Sequence, residues 1–598
     1  MPALPLKSSD EMESFATDAP AAPPAPRELT ARALIFGCVA GALLSAGNVY
    51  TGLKTGFIDG GSITAALVAF AFFAMMKRFS PRAFGPRENN IAQTTAASAA
   101  IMGFAIGLPS GFPALTMMGR SFEGWALPFW GIGIGVVGIV VAGTLRQKLI
   151  REEKLPFPTG AATAEVIETI GAARQVALRR AALLIGTAAF AAAFAWFRDG
   201  KPAVIPQGWM FNVVVMGTTL SAIFVGMSWS PVMIATGMFM GERAAFSMLG
   251  GGIVSWVILA PWLVRLGAVP AATYSDCNAW LIWPGVGMLL AGGFVPLFFD
   301  WRGILRAFRD LPSVVTRRGS SAAVVVDEST RMPWAKTVFG LAVALLVVIA
   351  VGAFHVGFFV AFLGLSFALV LSNVCGRTAG ETDLAPTGAF GTITQLALMG
   401  HGVTGSIIGG GIVSGAAAQT SQTLWAFKAG DRFGASPRAQ LTAQLLGCIV
   451  GSVASVPAYY LLVRAYGIGT VALPAPSALS WKATALAVQS GLSAMPRYSA
   501  VAGLIGFGLG LLFAVLSRTR VRRYVPTPTA MGMGMITLFS LSMAACVGGV
   551  ILLAARKLRR PGASDANLMA IAAGGIAGES IMGVIIAALI AAGLLSPG

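Results

Sequence analysis

Apolar runs of about 18 to 24 residues recur along nearly the whole chain, among them Trp125–Leu145, Trp334–Phe354 and Tyr498–Leu516. Each can cross roughly 30 Å of hydrocarbon as a helix, whereas a soluble core helix would be shorter and striped with polar residues. Of 598 residues, 56% are hydrophobic and 11% charged, against about 25% charged in an ordinary soluble domain. Most of the 74 glycines lie inside the apolar runs, as in closely packed or broken membrane helices. The fold class that follows is all-α: a polytopic transmembrane helical bundle of about 14 to 17 segments in the cell membrane, with the lipid bilayer as its first partner.

Segments fall near 31–52, 60–77, 90–108, 125–145, 179–198, 208–228, 230–267, 283–299, 333–354, 356–373, 388–421, 438–463, 498–517, 533–556 and 566–595. They divide the chain into a flexible N-terminal tail (1–30), a first transmembrane half (31–300), a basic cytoplasmic linker (301–332) and a second transmembrane half (333–598). Basic clusters at Lys77–Arg87, Arg146–Lys154 and Arg518–Arg523 punctuate the gaps between runs and, with a cytoplasmic N-terminus, obey the positive-inside rule. The net charge of +18 is therefore spread through loops, and no basic domain with interleaved aromatics points to nucleic acid. Five scattered cysteines form no CxxC pair, so neither a disulfide framework, a metal site nor another cofactor is indicated.

Two stretches interrupt the helical pattern in the same way. Leu155-Pro-Phe-Pro158-Thr159-Gly160 cannot continue a helix but can start one, and Pro526-Thr-Pro528-Thr529 repeats the motif in the second half, since proline suits the first helical turn and no later one. Both Arg146–Lys154 and Arg174–Arg180 flank the first stretch, as a re-entrant or half-spanning helix requires. A helix that begins inside the membrane offers free N–H groups to a carboxylate. A further pair, Gly237/Gly241 before Glu242 and Gly574/Gly578 before Glu579, supports an internal repeat of two halves with substrate between them.

Carboxylates in or beside apolar segments cost several kcal/mol and are functional by default. Glu165, Glu242, Asp383 and Glu579 are the candidates for carrying protons, Glu165 with Glu168 on one helical face. Gly133-Ile-Gly-Val-Val-Gly138 fits a nucleotide fingerprint but lies in a continuous apolar run without a preceding strand. His355 and His401, the two histidines, are far apart in sequence and form no HExxH. No GxSxG elbow and no Walker motif occurs, so catalytic residues, an enzyme and an ATP-driven pump are not expected.

Asn48-Val-Tyr50-Thr-Gly52-Leu-Lys54-Thr-Gly56 and Glu88-Asn89-Asn90-Ile-Ala-Gln93-Thr94 resemble the N-terminal signatures of the oligopeptide transporter family, which includes the yellow stripe-like metal-chelate carriers. The resemblance continues through Leu155–Gly160, Glu381-Thr-Asp383, Phe427–Asp431 and Ala577-Gly-Glu579-Ser580, and so spans nearly the whole chain. Thr159 stands where an acidic residue is common in that motif, and Lys428-Ala-Gly430 where Lys-Thr-Gly is usual. The resemblance implies a secondary active transporter, proton-coupled, that moves small oligopeptides; the alternatives are a metal-chelate transporter and, from another class, a membrane enzyme or scaffold on a transporter frame. For substrate contact it and the broken helices mark Asn48, Tyr50, Lys54, Asn89, Asn90, Gln93, Pro158, Thr159, Gly160, Pro528 and Thr529. A two-fold homodimer has no support in the sequence.

Overall fold

The computed structural model describes residues 28–58, 60–76, 84–172, 174–299, 335–383, 385–490, 496–558 and 565–596; the basic linker at 301–332 and all but the end of the N-terminal tail lie outside them. The first described helices are α1 (Ala31–Thr55), α2 (Ser62–Met75), α3 (Pro86–Ala100), α4 (Met102–Ile106), α5 (Gly111–Met117), α6 (Ala126–Arg146), α7 (Pro158–Ala172) and α8 (Arg174–Asp199). After a small β region come α9 (Pro231–Met240), α10 (Glu242–Gly252), α11 (Ala260–Arg265) and α12 (Tyr274–Phe299). The second half supplies α13 (Ala335–Gly352), α14 (Phe358–Thr382), α15 (Thr387–Ala397), α16 (Gly402–Arg432), α17 (Pro437–Tyr466), α18 (Pro476–Ser490), α19 (Ser499–Leu516), α20 (Pro528–Ile536), α21 (Phe539–Leu558) and α22 (Ala566–Ala591).

Among the described residues, 11 helices are long and apolar enough to cross a membrane, or 12 with the pair α15/α16, bent by 64°. Three shorter apolar helices, Ser62–Met75, Pro231–Met240 and Lys336–Gly352, bring the bundle into the range of about 14 to 17 segments that its composition suggests. One expected segment is not helical. Residues 208–228 fold as β1 (Gly208–Met210), β2 (Val214–Val215), β3 (Thr218–Thr219) and β4 (Gly226–Ser228), with β1 antiparallel to β4 and β2 to β3. The β-branched run and the Met216-Gly217 turn, both at positive φ, favour a hairpin over a helix.

Side chains from both sequence halves share each core. The largest cluster joins Tyr50, Trp130 and Phe157 to Phe354, Phe390 and Trp481, and a second joins Met233 and Trp256 to Phe539 and Leu552. Basic helix ends gather on one face: Arg32 of α1 pairs with Glu88 of α3 at 2.6 Å, Arg87 donates to Phe433 O at the end of α16, and Arg146 of α6 reaches Asp431 of α16 at 3.5 Å. That gathering is the charge asymmetry expected of a membrane bundle.

Pro158 and Pro528 each stand at the first position of a helix, α7 and α20, as the sequence motif predicts. The GxxxG pairs divide. A Cβ on Gly237 would lie 1.9 Å from Ala545 O, and one on Gly578 would lie 2.1 Å from Ala188 O, so these glycines let helices touch backbone to backbone. Gly241 instead has φ 83° and breaks the chain between α9 and α10, whereas Gly578 and Glu579 lie inside the unbroken α22; the two halves of that sequence match differ in structure. Gly578→Val is expected to force α8 from α22 and cost about 1–3 kcal/mol, seen as a lower unfolding temperature in detergent. Gly186→Val on the same α8, where a Cβ would meet nothing within 4 Å, should leave that temperature unchanged.

Candidate functional site

Midway along α22, Glu579 is fully buried, its side chain 0% exposed. Its Oε1 accepts from Lys54 Nζ (2.9 Å), Arg198 Nη2 (2.9 Å), Ser230 Oγ (3.1 Å) and Tyr50 Oη (3.4 Å), and its Oε2 from the Val232 backbone N–H (2.7 Å). Val232 is the second residue of α9, so the carboxylate caps that helix from a different segment of the chain and meets the positive end of its dipole. Arg198 also donates to Asp199 Oδ1 (2.9 Å) and to Trp229 O (2.6 Å), and Lys54 Nζ to Tyr50 Oη (2.7 Å). Two cations and two carboxylates thus neutralise one another where neither could stand alone. Tyr50, Lys54 and Glu579 are three of the expected site residues. Arg198 and Ser230 are additions, and the signal for Arg198 was its place at the inner end of an apolar run, next to Asp199.

The second feature is the start of α7. Asp383, at φ 62° just past the end of α14, accepts from the Thr159 backbone N–H (3.0 Å) and from Thr159 Oγ1 (2.7 Å). Phe157 N donates to Gly380 O (2.9 Å) and Lys428 Nζ to Leu155 O (2.8 Å). The helix end that the sequence offers to a substrate carboxylate is therefore filled by the protein's own. Gly160 packs on α16, where a Cβ would lie 2.5 Å from Trp425 O.

The third feature is a set of buried amides. Every residue of α3 from Glu88 to Ala100 is buried, although the helix is rich in Asn, Gln, Ser and Thr. Gln419 Nε2 donates to Ser98 Oγ (2.9 Å) and Arg87 Nε to Phe433 O (2.9 Å), so α3 and α16 run antiparallel. Between those anchors Asn90 and Gln93 are buried on α3, and Gln422 of α16 donates to Ser62 Oγ at the start of α2 (2.9 Å). α7 packs against α2, α3 and α16. Asn89 donates to Ala66 O on α2 (3.4 Å). Asn89 Oδ1, both amide atoms of Asn90 and of Gln93, Thr94 Oγ1 and Gln422 Oε1 are buried with no protein partner. Each such atom costs about 1–3 kcal/mol unless water or solute completes it.

The remaining expected residues lie elsewhere. Asn48 is buried and donates to Ala100 O (3.0 Å), which makes it a brace between α1 and α3. Glu165 is exposed and Glu168 pairs with Arg432 at 2.8 Å. Glu242 is 35% exposed and pairs with Arg556 at 2.7 Å, a surface setting unlike that of Glu579. Pro528 is buried and Thr529 exposed, and the approach to α20 is held by Thr527 N donating to Ser247 Oγ (2.9 Å). His355 and His401, distant in sequence, line one cavity of about 1180 Å³ together with Arg120, Glu123 and Gln489. Among the described residues no group of three or more His, Cys, Asp or Glu could hold a metal ion.

Residues 28–590 match the family model of the OPT oligopeptide transporter protein. The chain is 25% identical to the metal-nicotianamine transporter YSL2 of Arabidopsis thaliana, over 94% of this chain and 93% of that protein. It is 24% identical to the iron-phytosiderophore transporter YSL15 of Oryza sativa subsp. japonica, over 93% and 90%. A Saccharomyces cerevisiae protein whose name gives oligopeptide transport as a candidate activity is 24% identical, over 88% of this chain and 91% of its own length.

Removal of the buried carboxylate leaves Lys54 and Arg198 with Asp199, paired to Arg198, as their one remaining counter-charge in the cluster. Glu579→Ala should therefore destabilise the protein by about 3–5 kcal/mol, read as a lower unfolding temperature by tryptophan fluorescence in detergent. Glu579→Gln, which can still accept from Val232 N–H and Ser230, should fall between Ala and wild type; equal temperatures for all three would show that the cluster does not hold the fold.

Proposed function

The chain belongs to the OPT oligopeptide transporter family, and on that premise we propose that it is a secondary active transporter that takes up small peptides or peptide-like solutes at the buried amides of α3 and α16. The observation that carries this reading is the set of buried, unpartnered amide and hydroxyl atoms on Asn89, Asn90, Gln93, Thr94 and Gln422. Apolar packing would leave such atoms unpaired at a steep cost, whereas a solute rich in amides and ionic end groups completes them and leaves again.

Proton coupling is assigned to carboxylates that a proton can uncouple from a helix end. Glu579 holds α9, and Asp383 holds α7. Neutralising either weakens a cap and frees a half-helix beside the substrate path, which gives a gradient something to push. Glu165, exposed on α7, is placed as the relay to solvent, and Glu242, paired with Arg556, as a surface contact. The face that collects Arg32, Arg87 and Arg146 is assigned to the cytoplasm together with the N-terminus.

The second reading, uptake of a metal chelate, is favoured by the names of the relatives that carry metal-nicotianamine and iron-phytosiderophore complexes. Proteoliposomes with an inward proton gradient decide between the two when a labelled tripeptide and a labelled iron-nicotianamine chelate are offered in parallel. Peptide accumulation that collapses with a protonophore is the expected result; chelate uptake alone would move the substrate to the metal branch, and uptake of neither would reject the reading. Asp383→Ala should lower gradient-driven uptake by tenfold or more while leaving the inserted protein folded, and Glu165→Gln should flatten its pH dependence. Unchanged uptake with an unchanged pH profile in both variants would remove these two carboxylates from the coupling.

A further inference from the structure

Away from the buried amides, a cavity of about 540 Å³ lies between α12 and α18. Ser436, just ahead of α17, donates its backbone N–H to Glu28 Oε2 (2.7 Å), and Glu28 pairs with Arg87 at the basic face. From there α17 runs for 30 residues, about 45 Å of helix, before Ile468 and Gly469 reach the cavity wall. The cavity therefore lies at the end of the bundle opposite the basic face. Along α12, Tyr274, Asn278 and Ile282 recur at four-residue steps and share one helical face; with Trp283 they line the cavity. Tyr274 Oη, Asn278 Oδ1 and Trp283 Nε1 are buried with no protein partner. Among the described residues Lys482 of α18 is the one charged group in the wall, and no carboxylate lines it. Asp276, in the first turn of α12, accepts from Thr273 Oγ1 (2.8 Å) and stays outside the wall.

Counted hydrogen by hydrogen, the polar side chains of this wall are mostly donors. An ammonium group brings three N–H, a primary amide two, an indole one and each hydroxyl one; the wall has Lys482, Asn278, Trp283, Tyr274 and Ser275. Acceptor oxygens stand against them only on Asn278 and the two hydroxyls. Tyr274 is also the first residue of α12, so the positive end of a long helix dipole lies at the same wall and adds to the Lys482 charge. Around the donors, Ile282, Leu479 and Leu486 supply apolar surface. A cation in an apolar wall, with N–H groups beside it and no carboxylate, is completed by an anion whose remainder is apolar. We propose that the cavity binds the carboxylate of a solute with an apolar body, with Lys482 as its counter-charge and Trp283 and Asn278 as N–H donors. The inference rests on the transporter reading above in taking that solute to be the transported one. It adds a docking site at the face opposite the one assigned to the cytoplasm, where an incoming solute first meets the bundle.

The unfolding temperature of the full-length protein in detergent tests the site without transport. N-acetyl-phenylalanine, its C-terminal amide and dihexanoyl phosphatidylglycerol are titrated separately, because a ligand that binds only the folded state raises that temperature. Stabilisation by the free carboxylate and not by the amide is the expected result. Lys482→Met, which keeps the stem and removes the charge, should raise the ligand concentration needed about tenfold or more, and Lys482→Arg should restore most of the shift. Trp283→Phe, which keeps a ring and removes the N–H, should weaken it severalfold and gives the answer if Lys482→Met does not fold. Equal shifts from acid and amide, no shift from either, or Met and Phe variants that respond as the wild type does would overturn the inference. A shift from the lipid alone would assign the cavity to an anionic headgroup and overturn it as well. Proteoliposome uptake of the labelled tripeptide that persists in those cases leaves the transporter reading standing. An intact carboxylate shift with no uptake of peptide or chelate would reject the transporter reading and keep the anion site.

Discussion

A carboxylate held out of water ties the first helix of this bundle to the last. The cost of burying Glu579 is offset only if every lone pair is met and its charge balanced, and the chain supplies partners from α1, α8 and the start of α9. Small residues let the backbones come close enough for this. Gly583 faces the Tyr50 ring, where a Cβ would lie 2.5 Å from Cε2, and Gly578 sits on Ala188 O, while Thr51 and Ser580 share a hydroxyl contact of 2.6 Å. Lipid gives helices no hydrophobic reason to associate, so a satisfied polar cluster flanked by glycines is what fixes α1, α8, α9 and α22 in register.

The same rule explains the half-helices. A helix start leaves N–H groups without intrahelical partners, and the protein answers with a carboxylate from elsewhere in sequence: Glu579 for α9, Asp383 for α7. Asp383 can reach because it sits in the left-handed conformation at the end of α14, which turns the chain back toward Thr159. Arg377, nearly two turns earlier on α14, pairs with Glu153 at 2.6 Å just before the α7 approach, so two contacts stitch the same pair of segments. Pairing of free N–H groups at a helix start thus explains both caps without any appeal to substrate.

Much of this was legible in the chain itself. Apolar run length fixes the membrane class, and the paired Pro-x-Pro-Thr motifs mark two true helix starts because proline at that position admits no other reading. Lys54 and Glu579 were legible as charges in or beside apolar segments, whereas Tyr50, Asn89, Asn90 and Gln93 were marked through the family resemblance of their motifs. What the sequence hides is rotation and partnership. Glu165 and Glu579 read alike as intramembrane acids, yet one faces outward and the other inward, a difference set by which side of each helix meets its neighbours. Arg198, Gln422 and Asp383 join their sites from 381, 360 and 224 residues away from the nearest partner named above, and no local pattern encodes such a meeting. At 208–228 the apolar count misleads because Val and Met serve a hairpin as well as a helix.

One long helix connects the features. Along its 31 residues, α16 gives Gln422 to the buried amides, Lys428 to the Leu155 carbonyl ahead of α7, and Asp431 to Arg146 at the basic face. Its Trp425 carbonyl is pressed against Gly160. α16 is thus bonded at three successive levels, and α7 packs along it. On the transporter reading proposed above, solute at the buried amides and release of the Asp383 cap both bear on the α7–α16 contact. On that reading the contact is where binding free energy and an ion gradient would be exchanged.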